Sequence, residues 1–342
     1  MSKWDSTSLL PPRTKTQDGN ERRVGVEIEL AGVGGLELAQ CVADSFNGSV
    51  SHQNRYEYVV EGSSFGDFKL ELDSDYLKRF ERASVERKAG SDDEWVVELE
   101  NISSDLLTLA AEQFVPWEIV APPIAISELG YFDQLLQQLR ERGARGTRYA
   151  ARFAFGVHLN PELPALDAAT ILKYLRAYFC LYDWIADREK IDVSRLVTPY
   201  IKHFKRDYIA SVIDLDYTPD QDTLIDDYLQ ANPTRNRSLD LLPLFAHLDG
   251  DRVRKVVDDP RIKSRPTFHY RLPNCDIDNL NWDLRFPWGN WLQVERLAEN
   301  QQQLAEACTA YQQDLTRLAG LIDNDWLQKS RQWVDLPEPE SV

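Results

Sequence analysis

The stretch Arg22-Arg23-Val24-Gly25-Val26-Glu27-Ile28-Glu29-Leu30 constrains the fold of this chain more than any other. Val24, Val26, Ile28 and Leu30 alternate with Gly25, Glu27 and Glu29, which is the period-two pattern of a β-strand with one apolar face. At about 3.3 Å rise per residue, the two carboxylates sit about 7 Å apart along the backbone. That spacing suits two oxygen ligands for one Mg²⁺, or one ligand for each of two neighbouring ions. It is equally the pattern of a strand whose outer face is merely solvated.

Composition narrows the setting. A length of 342 residues allows one large or two modest domains, and 43% hydrophobic residues with nine Trp argue for a folded globular chain. No run of 18 apolar residues occurs, so no membrane span is expected. Met1 to Asn20 is polar, lacks the basic-then-apolar order of a secretory signal, and is expected to be a flexible arm. Cys41, Cys180, Cys275 and Cys308 are widely spaced without a C-x-x-C pair, which fits free thiols in the cytoplasm. A net charge of −17 repels nucleic acid at long range, while a local arginine cluster with Mg²⁺ can still hold a nucleotide.

After the first strand, Ala31-Gly32-Val33-Gly34-Gly35 leads into an amphipathic helix to about Phe46. Glu37 stands at the third glycine position of a dinucleotide fingerprint, so that match is partial. Residues 49–74 predict a hairpin or meander. Within it Gly62-Ser63-Ser64-Phe65-Gly66 is a formal G-x-S-x-G, but the alternating segment that follows predicts a strand where a nucleophile elbow needs a helix. Residues 75–93 are dense in charge and predict a solvated insertion, followed by a short strand at 95–99 and a helix near 103–112. Glu118 then lies inside the otherwise apolar Phe114–Ala121, closed by Pro122-Pro123; burying it costs several kcal/mol unless it is paired or bound to metal.

Residues 127–142 predict an amphipathic helix, and 148–160 a strand on which Gly156, His158 and Asn160 share a face. A helical region spans 165–260, with helices at 165–186, 198–212, 219–231, 239–247 and 250–257. The polar, basic loop Asn232 to Ser238 is expected to place Ser238 as a helix cap. Residues 265–274 predict a last strand with Arg265, Thr267, His269 and Arg271 on one face, a set suited to anion recognition. A long helix over roughly 287–323 and an acidic tail at 331–342 complete the chain. The domain organisation expected is an arm at 1–20, a single domain at 21–330, and the tail.

Taken in order, Gly25-Val26-Glu27-Ile28-Glu29, Glu118-Ile119-Val120-Ala121-Pro122-Pro123, Gly156-Val157-His158-Leu159-Asn160 and His269-Tyr270-Arg271-Leu272-Pro273 resemble the amidoligase family of carboxylate–amine ligases. The match spans roughly 22–275. The resemblance implies an α+β fold: a curved antiparallel sheet of the glutamine synthetase and glutamate–cysteine ligase type, with helices on its convex face. The concave face would hold ATP and two or three Mg²⁺ ions.

It further implies Glu27, Glu29, Glu118, His158 and His269 as metal ligands, with Glu29 and Arg271 catalytic. Arg235, Arg265, Arg271 and Asn160 would contact nucleotide or substrate carboxylate. Asp240 matches the family's L-[ND]-L, and Asp73 and Glu71 are weaker matches. The substrates implied are a small-molecule or peptide carboxylate and an amine.

One departure stands out: relatives carry Glu two residues before the final Arg, where this chain has His269. Imidazole binds Mg²⁺ weakly compared with a carboxylate, so this position either softens a metal site towards Mn²⁺, serves another purpose, or marks reduced catalysis. A non-catalytic relative that keeps the fold is therefore the main rival. A glycosidase is disfavoured because Glu27 and Glu29 are too close in sequence to flank a bond from opposite faces. No G-x-x-x-x-G-K-[ST] occurs, which removes a P-loop.

Overall fold

The computed structural model describes residues 9–54, 56–72, 116–147, 155–191, 201–316 and 325–336. The 22–30 stretch forms strand β1, Arg23–Leu30, and its four aliphatic side chains are fully buried. Their burial fixes the register, because a one-residue slip would carry Glu27 and Glu29 into the core.

Around β1 assemble β2 (Ser49–Asn54), β3 (Glu57–Ser63), β4 (Gly66–Leu72), β5 (Trp117–Val120), β6 (Ile124–Ala125), β7 (Val157–Pro161), β8 (Leu239–Asp240) and β9 (His269–Tyr270). They form one antiparallel sheet in the order β2-β3-β4-β5-β1-β7-β9-β8, with β6 also on β1. The sheet is open, not closed into a barrel, and no parallel pair joins its named strands. A doubly wound dinucleotide fold is thereby excluded.

Ten α-helices accompany the sheet among the described residues: α1 (Gly35–Phe46), α2 (Phe132–Glu141), α3 (Ala168–Arg188), α4 (Arg206–Ile213), α5 (Gln221–Ala231), α6 (Leu242–Leu248), α7 (Gly250–Val256), α8 (Arg285–Glu299), α9 (Gln301–Thr316) and α10 (Asp325–Ser330). Those that contact the strands lie on the face of Val26 and Ile28. Phe46 of α1 stacks on Phe68 of β4, with ring centroids 4.8 Å apart, and meets Phe132 of α2. Tyr270 of β9 meets Tyr178 of α3 and Trp291 of α8. Gly35 at the start of α1 is required by packing: a Cβ there would lie 2.3 Å from the buried Trp117 ring.

Several elements depart from expectation, each for a local reason. The expected strand over 265–274 ladders only at His269–Tyr270, with single bridges at Thr267 and Asn274. Pro266 and Pro273 lack the N–H that a continuous ladder needs. The helix expected at 239–247 begins later, at Leu242, since Leu239–Asp240 is a strand and the Asp240 carboxylate accepts from the Leu242 N–H at 2.9 Å. Ser238 accordingly caps no helix; its carbonyl accepts from the Arg271 N–H. The long helix expected at 287–323 is broken within the described residues, because the Asn300 side chain accepts from the Gln303 N–H and starts α9 anew; 317–323 lie outside them.

Of the helix expected at 198–212, residues 198–200 lie outside the described residues and α4 covers Arg206–Ile213; the helix expected at 127–142 is a 3₁₀ turn, Ile126–Tyr131, followed by α2. Gly62 to Gly66 is the β3–β4 turn, with the Ser64 hydroxyl donating to Phe46 O, so it is no nucleophile elbow.

In the N-terminal stretch, Trp288 Nε1 donates to Leu9 O, and the Arg22 guanidinium to Arg13 O. All four cysteines are free and buried. No helix among the described residues is long and apolar enough to cross a membrane. The charged insertion at 75–93, the elements expected at 95–99 and 103–112, and Asp73 lie outside the described residues.

Candidate functional site

The face of the sheet opposite Val26 and Ile28 gathers polar side chains because antiparallel register places opposed residues on the same face. Glu27 of β1 faces His158 of β7, and Gly25 faces Asn160. Glu29 faces Glu118 of β5, which faces Glu71 of β4, which faces Glu57 of β3. Four carboxylates thus stand in a row across four strands, each opposed pair having Cα atoms about 4.5–5.5 Å apart. Like charges directly opposed destabilise a sheet unless a cation lies between them. Sequence reasoning missed Glu57 and ranked Glu71 low, since their place in the row follows from hairpin register.

The centre of the site is Glu27. His158 Nδ1 lies 3.0 Å from its Oε2, and the Asn160 amide donates to its Oε1 at 2.8 Å. Arg265 donates to Asn160 Oδ1 at 2.8 Å and approaches Glu27 Oε1 at 3.6 Å. His269 Nε2 lies 3.4 Å from Glu27 Oε2, with its Nδ1 3.9 Å from Asp240 Oδ2. Gly25 makes room for this packing: a Cβ there would sit 3.2 Å from the Asn160 amide nitrogen.

A second group adjoins the first through His158. Its Nε2 is 3.6 Å from Glu29 Oε1, and its Nδ1 is 4.0 Å from Glu118 Oε1. The other Glu29 oxygen accepts the Gly156 N–H at 2.6 Å, which fixes the side chain over β7. The ligand atoms of Glu27, His158 and His269 lie within 4.8 Å of one another, as do those of Glu29, Glu118 and His158.

Arginines border the histidine side. Arg271 donates to Arg235 O at 3.1 Å, and Arg235 approaches Asp259 at 3.9 Å. Asp240 is completely buried in this neighbourhood. Burial pushes its carboxyl up to about 6, against the pull of Arg271, Arg235 and Arg265. Burial also drives His269 well below the usual imidazole range, outweighing the Glu27 carboxylate beside it. A neutral ring leaves one nitrogen lone pair for a ligand.

The donor set fits a metal and a phosphate group. Among the described residues, His269 Nε2, Asp240 Oδ2, Arg265 Nε, Arg271 Nε and Thr267 Oγ1 are enclosed yet make no hydrogen bond. Buried polar atoms are nearly always paired, so such a concentration marks a place built for something besides folding. Of the residues expected from sequence, Glu27, Glu29, Glu118, His158, Asn160, Arg265 and His269 meet within one contact network, while Arg271 and Arg235 pair with each other beside Asp240.

A family model described as "Putative amidoligase enzyme" matches residues 20–293. No curated protein and no solved structure matches the chain.

Proposed function

The chain belongs to the amidoligase family, and on that premise we propose that it is an ATP- and Mg²⁺-dependent carboxylate–amine ligase forming an amide or isopeptide bond. The observation that carries this reading is the convergence of Glu27, Glu29, Glu118 and His158 with Arg265 and the Arg235–Arg271 pair on one face of the sheet. The sheet is assigned on the same premise to the glutamine synthetase catalytic type, and the chain to the cytoplasm.

A carboxylate is a poor electrophile, so the substrate carboxylate first takes the γ-phosphoryl group of ATP to become an acyl phosphate. The amine then attacks the carbonyl carbon and phosphate departs. The catalytic burden is positioning and charge stabilisation, since phosphoryl transfer asks little covalent chemistry of the protein. Divalent cations held by Glu27, Glu29, Glu118 and His158, Mg²⁺ among them, would supply neutralisation of the phosphate oxygens. Arg271 steadies the transferring phosphoryl, Arg265 and Arg235 contact phosphate or substrate carboxylate, and Asn160 orients Arg265 against Glu27. The carboxylate row leading outward through Glu71 and Glu57 gives a cationic amine a favourable approach.

The test is ADP release by the purified protein with Mg²⁺ and with Mn²⁺, across a panel of carboxylates and amines, with the product weighed by mass spectrometry. ADP release that requires both a carboxylate and an amine establishes the ligase. A second reading, a non-catalytic binding relative, draws on His269 standing where relatives carry Glu. It predicts nucleotide turnover under no combination of the panel.

A further inference from the structure

The two ligand sets on the polar face are chemically unlike. Glu29 and Glu118 bring two carboxylates to His158, whereas Glu27 and His269 bring it one carboxylate and a second imidazole. Both nitrogens aim at the same atom: His158 Nδ1 lies 3.0 Å and His269 Nε2 3.4 Å from Glu27 Oε2. His269 is only 4% exposed, and its Nε2 makes no hydrogen bond among the described residues. Its far nitrogen faces Asp240 Oδ2 at 3.9 Å, itself an enclosed oxygen without a hydrogen bond. That separation is an ion-pair contact and not a hydrogen bond; a carboxylate that accepts the second N–H of a ligating imidazole fixes ring orientation and raises ligand basicity, and Asp240 is the carboxylate beside His269.

Mg²⁺ takes octahedral oxygen and sheds water reluctantly, while imidazole suits later first-row dications, whose affinity for nitrogen sites rises from Mn²⁺ towards Cu²⁺. His158 is shared by the two sets, and its 3.0 Å approach to Glu27, against 3.6 Å to Glu29 and 4.0 Å to Glu118, assigns it to the Glu27 set. We propose that Glu27, His158 and His269 form a binding site for a first-row transition-metal dication, with Asp240 as the positioning residue for His269, and that Mg²⁺ is confined to the Glu29–Glu118 side. The division of metals deepens the ligase reading and rests on it for the role of Mg²⁺. The transition-metal site itself does not need ATP.

The experiment is a Co²⁺ titration of the metal-stripped full chain, followed by visible absorption, with no nucleotide present. The expected result is a saturable spectrum of a nitrogen-ligated ion that a roughly hundredfold excess of Mg²⁺ fails to displace. His269→Ala should remove the spectrum. Glu118→Gln should keep it, and Asp240→Asn should weaken Co²⁺ binding about 10–100-fold. His269→Glu, which keeps a ligand in place should the alanine variant fold poorly, should still bind metal but shift preference towards Mg²⁺. Circular dichroism reports the fold of each variant. Absence of Co²⁺ binding, ready displacement by Mg²⁺, or a spectrum that survives His269→Ala overturns the proposal. An intact spectrum without ADP release for any substrate would instead count against the ligase reading.

Discussion

Two charge systems flank the central strand and handle enclosed polar atoms in opposite ways. At the start of β1, Arg22 is 1% exposed and all three of its guanidinium nitrogens donate: two hydrogen bonds of 2.7 and 2.8 Å to Glu295, one to Glu162 O and one to Arg13 O. Glu295 also accepts from Trp291 Nε1 at 2.8 Å. Five residues further along the chain, the Glu27 system leaves His269 Nε2, Asp240 Oδ2 and two arginine Nε atoms without hydrogen bonds among the described residues. The first system is closed and holds α8 to the sheet. The second keeps enclosed donors and acceptors in reserve beside its ion pairs. Satisfaction, more than burial or charge, separates a structural ion pair from the candidate site here.

The largest effect should come from opening the closed system. Arg22→Met strands a buried Glu295 carboxylate and should cost about 3–5 kcal/mol in denaturant unfolding. Adding Glu295→Leu should recover most of that loss, because an apolar pair of similar volume replaces a buried ion pair at little cost. The open system should respond in reverse. Glu29→Gln should lower ATP turnover by about 10²–10³-fold with the folded structure kept, read by ADP release alongside circular dichroism.

An intermediate case sharpens the contrast. Both His203 ring nitrogens are enclosed without a hydrogen bond, and the ring stacks on Tyr182 at 3.4 Å. Unlike His269 it has no carboxylate within ion-pair distance among the described residues. Burial, with help from Arg237, drives its pKa down to about 3. The unfolded chain therefore binds a proton that the folded chain refuses. This stability is present above about pH 6.5 and is lost as pH falls towards 3, at no more than about 1.4 kcal/mol per pH unit. His203→Gln should flatten that part of the pH–stability curve. The smallest effect belongs to a site outside both systems: Asp167 caps α3 by accepting from the Thr170 N–H at 2.9 Å, and Asp167→Ala should cost about 1 kcal/mol.

What the sequence made legible follows from what is local in it. Alternation along 22–30 was enough to assign β1, its buried aliphatic face and its carboxylate face. The antiparallel architecture came through the family resemblance, because no single segment states its partner. Relations across strands were hidden: Glu57 joins the carboxylate row only through the β3–β4 register, and Asp240 faces His269 only because two-residue strands pair there. The helix breaks were missed where one polar side chain outcompeted a continuing periodicity, as Asn300 does between α8 and α9. The fragmentary 265–274 strand was readable in principle from Pro266 and Pro273, whose missing donors the alternation concealed.

The central claim is that the polar face of the sheet binds nucleotide through metal-bearing carboxylates. Calorimetric titration of ATP into the wild-type chain and the Glu29→Gln variant, each with and without Mg²⁺, tests it most directly. The account predicts ATP affinity that depends on Mg²⁺ in the wild type and is lost in the variant. Affinity indifferent to both the metal and Glu29, or no affinity at all, would contradict it.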